Sequence, residues 1–247
     1  MDVDLRMTPL QRTRVEKAAA DCGFDLTPQL RDRALVFGST QFPETAEVKL
    51  VEEASFLLRA APPSLLDGLS YTADGWVEVT GGFAALYDAL ARVSAACRTM
   101  PNRVAERFAV ETSALPKSTE AERLVVQRVG QELFRRALLD FWQGRCCVTG
   151  LAVPELLRAS HIKPWAACDS DIERLNVFNG LLLAPNLDAM FDGGWLTVEE
   201  GGQVVLSREL SAEARDALGI RDGLKFVGLR EQHNQFLAFH RGEVFRK

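Results

Sequence analysis

The stretch that decides the reading runs from Arg158 to Asp192, RASHIKPWAACDSDIERLNVFNGLLLAPNLDAMFD. Three polar residues stand out of its apolar background: His161, Asn179 and Asp188. Ala159-Ser160-His161-Ile162 continues the run Glu155-Leu156-Leu157 and predicts a short strand ending in a histidine. A polar loop follows, rich in turn formers and charge through Asp169, Ser170, Asp171, Glu173 and Asn176. Gly180-Leu181-Leu182-Leu183 is a compact apolar run between turn signals, the pattern of a buried strand. Pro185 suits the first turn of a helix, where its missing N–H costs nothing. That helix carries Leu187, Met190 and Phe191 inward and stops at Gly193-Gly194, where glycine accommodates the cap. The reading is strand, loop, strand and helix, with the three polar residues on the first strand, at the end of the loop and on the helix.

A histidine, then an asparagine, then a metal-binding residue nine positions on resembles the HNH endonucleases, whose active unit is a ββα-metal site. Asn179 and Asp188 have that spacing. The phrases Ala-Ser-His-Ile-Lys-Pro-Trp, Asn-Gly-Leu-Leu-Leu and Leu-Asp-Ala-Met-Phe-Asp are together similar to a zinc-less branch of the family. The resemblance covers about half the chain, from Thr119 to the C-terminus, and it rests on the three phrases as a set. It implies His161 as general base, Asn179 as a catalytic-site residue, and one catalytic Mg2+ or Mn2+ held through Asp188.

The sequence departs from the family at two places. Many members brace the ββα unit with two CxxC pairs around a structural zinc. Here the first pair reduces to Cys147-Val148-Thr149-Gly150, and Ala184 and Leu187 stand in the second. A thiolate tetrad is thereby excluded, apolar packing must replace it, and no structural zinc is expected. The residue before the histidine is often a metal-binding aspartate; here it is Ser160, so the metal set is read as Asp188, Asp192 and Ser160, with the second protein ligand open. Asp192 lies one turn after Asp188 on the same helix face. The chemistry suits these types. A near-neutral imidazole can deprotonate water at physiological pH, and hard oxygen ligands hold a divalent ion that offsets charge on a phosphate. Asn179 cannot be a base; its amide suits pinning the long loop.

The remaining composition bounds the molecule. Hydrophobic residues make up 47% and charged residues 26%, as in ordinary globular proteins. No apolar run approaches the ~18 residues of a membrane span, and Met1-Asp2-Val3-Asp4 lacks a basic, apolar secretory start. Five scattered cysteines, two of them adjacent, suit reduced thiols in a cytoplasm. A net charge of −5 argues against a protein that coats DNA indiscriminately. It does leave room for a small basic patch on an acidic body.

Upstream, Thr8-Pro9 opens a helix closed by Gly23, Ala34–Phe37 reads as a strand, and Glu47–Ala60 is ambiguous but leans to strand. Trp76–Val79 alternates as a strand leading into Gly81-Gly82, and Phe83–Cys97 has amphipathic helical spacing. The stretch from Asn102 to Ser118 is the best boundary. A helix starting at Thr119 and running to Trp142 presents Arg128, Arg135 and Arg136, which with Lys163 and Arg241 are candidate DNA contacts. For any one of these arginines a solvated helix face is an equal reading. Downstream, Trp195–Val198 and Gln203–Leu206 flank Gly201-Gly202 as a hairpin, and Ser211–Leu218 reads as a short helix.

The expectation is therefore an α+β protein in two domains. Residues 1–115 form a mixed α/β recognition or regulatory module, and residues 116–247 form a ββα-metal nuclease. The substrate implied is double-stranded DNA, in a prokaryotic restriction or defence setting, with the N-terminal module reading the target, including modified DNA. A nicking or homing-type nuclease and a catalytically silent DNA-binding module are the alternatives. One base and one metal serve one strand, so a homodimer is expected, with no membrane involvement. The tail aromatics Phe236, Phe239 and Phe245 either contribute to that interface or pack on their own domain; His233 and His240 are read as packing or phosphate contacts.

Overall fold

The structure, a computed structural model, describes residues 7–52, 55–66, 72, 74–221 and 223–247. It divides into two compact units, Met1–Arg98 and Thr99–Lys247. The division falls earlier than the 115/116 boundary expected from the sequence. The reason is a helix, α3 (Pro101–Thr112), in the stretch taken for a linker. Its start at a proline is favourable, and it buries Val104, Ala105 and Phe108 in the core of the second unit.

The first unit begins with helix α1 (Pro9–Asp21), capped by Thr8 in a reciprocal box with Gln11. Five strands follow in sequence order as one antiparallel meander: β1 (Gln29–Arg31), β2 (Ala34–Phe37), β3 (Thr45–Glu52), β4 (Ser55–Ala61) and β5 (Val77–Thr80). The ambiguous stretch from Glu47 is thus two strands rather than one, with Glu53 and Ala54 between them outside the described residues. Alternation sets the buried face: Ala46, Val48 and Leu50 pair across to Phe56, Leu58 and Ala60. Helix α2 (Gly82–Arg98) lays Leu86, Leu90 and Val93 against that unit's core.

The second unit is built on the long helix α4 (Glu120–Phe141), capped by Thr119 and Glu122 as the sequence predicts. Against it sits the antiparallel pair β6 (Arg158–His161) and β7 (Gly180–Leu183), in which His161 faces Gly180 and Ser160 faces Leu181. The residues before β6 form a short 3-10 turn, Pro154–Leu156, instead of extending the strand. The connection from β6 to β7 contains a four-residue helix, α5 (Asp171–Arg174). Helix α6 (Pro185–Asp192) follows and completes the strand–strand–helix unit. Every residue of β7 is buried, as expected of a strand covered on both faces. Gly180 is required by approach, not by dihedral: a Cβ there would meet Phe134 Cζ at 2.6 Å and Leu138 Cδ1 at 2.7 Å. Gly130 in α4 makes room in the same way for Trp165, whose Cη2 would lie 2.7 Å from an added Cβ.

The hairpin β8 (Leu196–Val198) and β9 (Val204–Leu206), helix α7 (Ala212–Ala217) and helix α8 (Asn234–Phe239) complete the unit. Phe236 and Leu237 of α8 are buried in this unit's own core, so Phe236 is not available to an interface between copies. His233 and His240 are core residues. His240 bridges the Thr197 hydroxyl (3.0 Å) and the Phe191 carbonyl (3.0 Å) while stacking on the Phe191 ring at 3.8 Å. His233 sits among Phe141, Trp142 and Phe178.

Burial pushes both imidazoles from 6.5 down to about 4. A histidine whose folded pKa is depressed stays neutral in the native state while the unfolded chain takes up a proton below 6.5. The stability it contributes is present above that pH and is lost as pH falls toward 4. His161 is lowered in the same direction, whereas the raised carboxyls of Asp188 and Asp192 act oppositely nearer pH 4. Urea unfolding free energy should fall from pH 7 to 5, by a few kcal/mol in all at a limit of ~2 kcal/mol per buried imidazole over that window. His240→Gln should flatten the slope; an unfolding free energy independent of pH over this window would contradict it.

Candidate active site

Ser160 and His161 are neighbours near the end of β6, and alternation sends their side chains to different surroundings. Ser160 is buried and faces helix α6. Its hydroxyl donates to Asp192 Oδ1 at 3.2 Å and also reaches the Asp188 carboxylate. Asp188 and Asp192, four residues apart, present their side chains to this one hydroxyl because i and i+4 share a helix face. Burial pushes both carboxyls above the usual range, and the negative charge of Asp188 adds to the rise at Asp192. Arg158, two residues before Ser160 and so on its face of β6, works against the rise at Asp188. Arg158 is exposed and was not singled out from the sequence, although its spacing from Ser160 carried the signal.

His161 lies between two aromatic rings. Its imidazole stacks on Phe134 at 3.9 Å and meets the edge of Trp165 at 5.5 Å. Nε2 lies 2.8 Å from the Arg174 carbonyl. A carbonyl only accepts, so Nε2 carries the hydrogen and Nδ1 keeps the lone pair. Burial, only partly offset by that carbonyl, lowers the pKa to about 4. The neutral tautomer with a basic Nδ1 is therefore the resident form at neutral pH.

Asn179 is completely buried at the far end of the loop. Its Oδ1 accepts from the Lys163 backbone N–H at 2.7 Å. Its Nδ2 donates to the carbonyls of Lys163 (3.2 Å) and Glu173 (3.3 Å) and to Cys168 Sγ (3.4 Å). The amide thus ties the start of the loop to α5, next to the Arg174 carbonyl that orients His161. Phe134, Trp165 and Arg174 were not recognised from sequence as parts of this site. A packed ring and a main-chain carbonyl leave no local motif.

Cys146 opens a turn closed by the Gly150 N–H on its carbonyl at 2.9 Å. Its sulfur accepts the amides of Thr149 (3.4 Å) and Ala184 (3.3 Å), and Leu187 is buried in the same core. Cys147 instead pairs its amide with Leu182 in the sheet. All five cysteines are buried, and none is in a disulfide.

The candidate DNA contacts divide. Arg135 spends both terminal nitrogens on the Leu157 and Pro154 carbonyls at 2.7 Å each, fastening the segment before β6 to α4. Lys163 is ion-paired with Glu173 (2.8 Å) and Asp169 (3.2 Å), and Arg241 donates to the Val198 carbonyl at 2.8 Å. All three are thus engaged within the second unit itself. Arg136 pairs with Glu132 on the exposed side of α4, and Arg128 is exposed.

Among the described residues, no group of three or more His, Cys, Asp or Glu side chains is arranged to hold a metal ion, and no helix is long and apolar enough to cross a membrane. No curated protein matches the chain. Residues 146–199, from the Cys146 turn through β8, match the HNH endonuclease family. Over that strand–strand–helix segment the chain is similar to the HNH endonucleases.

Proposed function

We propose that the protein is a metal-dependent endonuclease that hydrolyses phosphodiester bonds in double-stranded DNA, with His161 as general base. The observation that carries this reading is the neutral imidazole of His161, its Nε2–H fixed on the Arg174 carbonyl and its neighbour Ser160 bonded to Asp192. His161 Nδ1 takes a proton from water as the water oxygen bonds to phosphorus and the 3′ oxygen leaves. Asn179 keeps the loop, and with it Arg174, in register. Arg158 offers a cation to a phosphate beside the carboxylates.

Asp188 and Asp192 would hold one Mg2+ or Mn2+. Two part-buried carboxylates sharing a single hydroxyl donor, each pushed toward protonation, are an all-oxygen set suited to a hard cation. Ser160 then serves to orient them. Such an ion, when bound, offsets negative charge on the phosphate and the leaving oxygen.

The setting we favour is prokaryotic restriction or defence, in which the N-terminal unit reads the target and two copies cut the two strands. A second reading, a catalytically silent DNA-binding module, is favoured by the two-carboxylate set with Ser160 in the third place. Supercoiled plasmid decides between them. Cleavage with Mg2+ or Mn2+ that stops on chelation is expected, whereas a mobility shift without cleavage would establish the silent module. Nicked circles alone, with no linear product, would indicate a nickase. Parallel incubation with cytosine-modified DNA addresses what the N-terminal unit reads.

A further inference from the structure

The first ten residues of α4 contribute nothing to the fully buried core, whose first member on this helix is Gly130. Yet Leu124 is 51% and Val125 49% exposed there. Two adjacent apolar side chains in water are ordinary singly, but here they are framed. Glu120 lies one turn before Leu124 and Arg128 one turn after, on the same stripe of the helix. Both are exposed, and neither makes a hydrogen bond or ion pair among the described residues. Glu132, the usual i+4 partner for Arg128, is taken by Arg136 at 3.0 Å. Glu122 is taken by the cap at Thr119. The stripe therefore reads acid, leucine, base, with both charges uncommitted.

That pattern is complementary to its own reverse. We propose that this face of α4 is the two-fold interface between two copies of the chain, the helices packing antiparallel with Leu124 at the axis. Glu120 then meets Arg128 of the partner subunit about 6 Å from the axis, and the symmetry repeats the pair on the other side. Leu124 and Val125 leave water together. A duplex occupant would be repelled by Glu120, and an acidic partner protein would leave it unpaired; a second copy satisfies all three positions. The contact is small beside standard interfaces of ~1,200–2,000 Å², so a weak, micromolar dimer is expected, reinforced when both copies sit on one duplex. The proposal locates the two-copy part of the function proposed above and does not depend on its chemistry.

Sedimentation equilibrium without DNA tests it. Wild type should self-associate at concentrations on the order of 100 μM. Glu120→Arg, Arg128→Glu and Leu124→Asp should each weaken association about tenfold or more, since the two reversals set like charges together. The double variant Glu120→Arg/Arg128→Glu should restore it to near the wild-type constant. All three positions of substitution are solvent-exposed, and circular dichroism will check that the helix persists. A strict monomer overturns the proposal. So does a dimer indifferent to these changes, or an Arg128→Glu variant that loses DNA affinity while its association is unchanged. Because association is read without cleavage, an inactive protein that dimerises as described, or an active one that does not, separates this proposal from the nuclease reading.

Discussion

His161→Ala is expected to reduce the cleavage rate of supercoiled plasmid by ~10²–10⁴-fold, the usual scale for loss of a positioned general base, while leaving affinity for the DNA within a few-fold of wild type. The imidazole is held from three sides, by Phe134, Trp165 and the Arg174 carbonyl, so its loss removes the proposed base with no neighbour to replace it. The remaining groups around Ser160, the two carboxylates that would hold the metal ion and the Arg158 guanidinium that would face the phosphate, stay in place but are not positioned to take the proton from water. Because burial holds the pKa at about 4, the base form is already populated at neutral pH. The wild-type rate should therefore show no acid limb near 6.5, where an ordinary histidine would titrate. Cleavage kinetics with a parallel gel shift would measure both. A variant that cuts within about tenfold of wild type, or a rate that falls through pH 6.5, would remove His161 from the role.

The candidate site could be picked out in the sequence because His161, Asn179 and Asp188 each interrupt apolar surroundings at a fixed spacing. Its working geometry could not. The carbonyl of Arg174 and the ring of Phe134 act on His161 from elements defined only after packing. Lys163 and Arg135 look like free cations in a string of letters. Their ion pairs and carbonyl contacts exist only once the loop closes and the segment before β6 docks on α4. In the first unit, β1 was missed because all three of its residues are exposed, leaving no alternation to read. It is held by pairing with β2 across Asp32 and Arg33, both with positive φ, the backbone of a tight hairpin turn. Helix α3 was missed for a different reason. Its flanking prolines suggested a linker, yet Pro101 stands where a helix can begin.

Asn179→Ala should cost more stability than any other single truncation at the site, about 3–5 kcal/mol, and should slow cleavage ~10²-fold even where the protein remains folded. The side chain is completely buried and makes one strong acceptance and three donations. Truncation leaves the Lys163 N–H and two main-chain carbonyls without their partner in a space too enclosed for ready replacement by water. Each such orphan costs ~1–3 kcal/mol. The effect on rate follows from where those groups lie. Lys163 begins the loop two residues after His161, and Glu173 immediately precedes the carbonyl that fixes the imidazole tautomer. Loosening both ends lets the Arg174 carbonyl drift from Nε2, and a displacement of about 1 Å at a reacting group is enough for a ~10²-fold loss. The two effects separate experimentally. Urea midpoints give the stability change, and single-turnover cleavage well below the variant's melting temperature gives the positional one. A folded Asn179→Ala protein with a wild-type single-turnover rate would confine Asn179 to holding the fold. A stability change under about 1 kcal/mol would mean that the loop is pinned by its ion pairs and not by this amide.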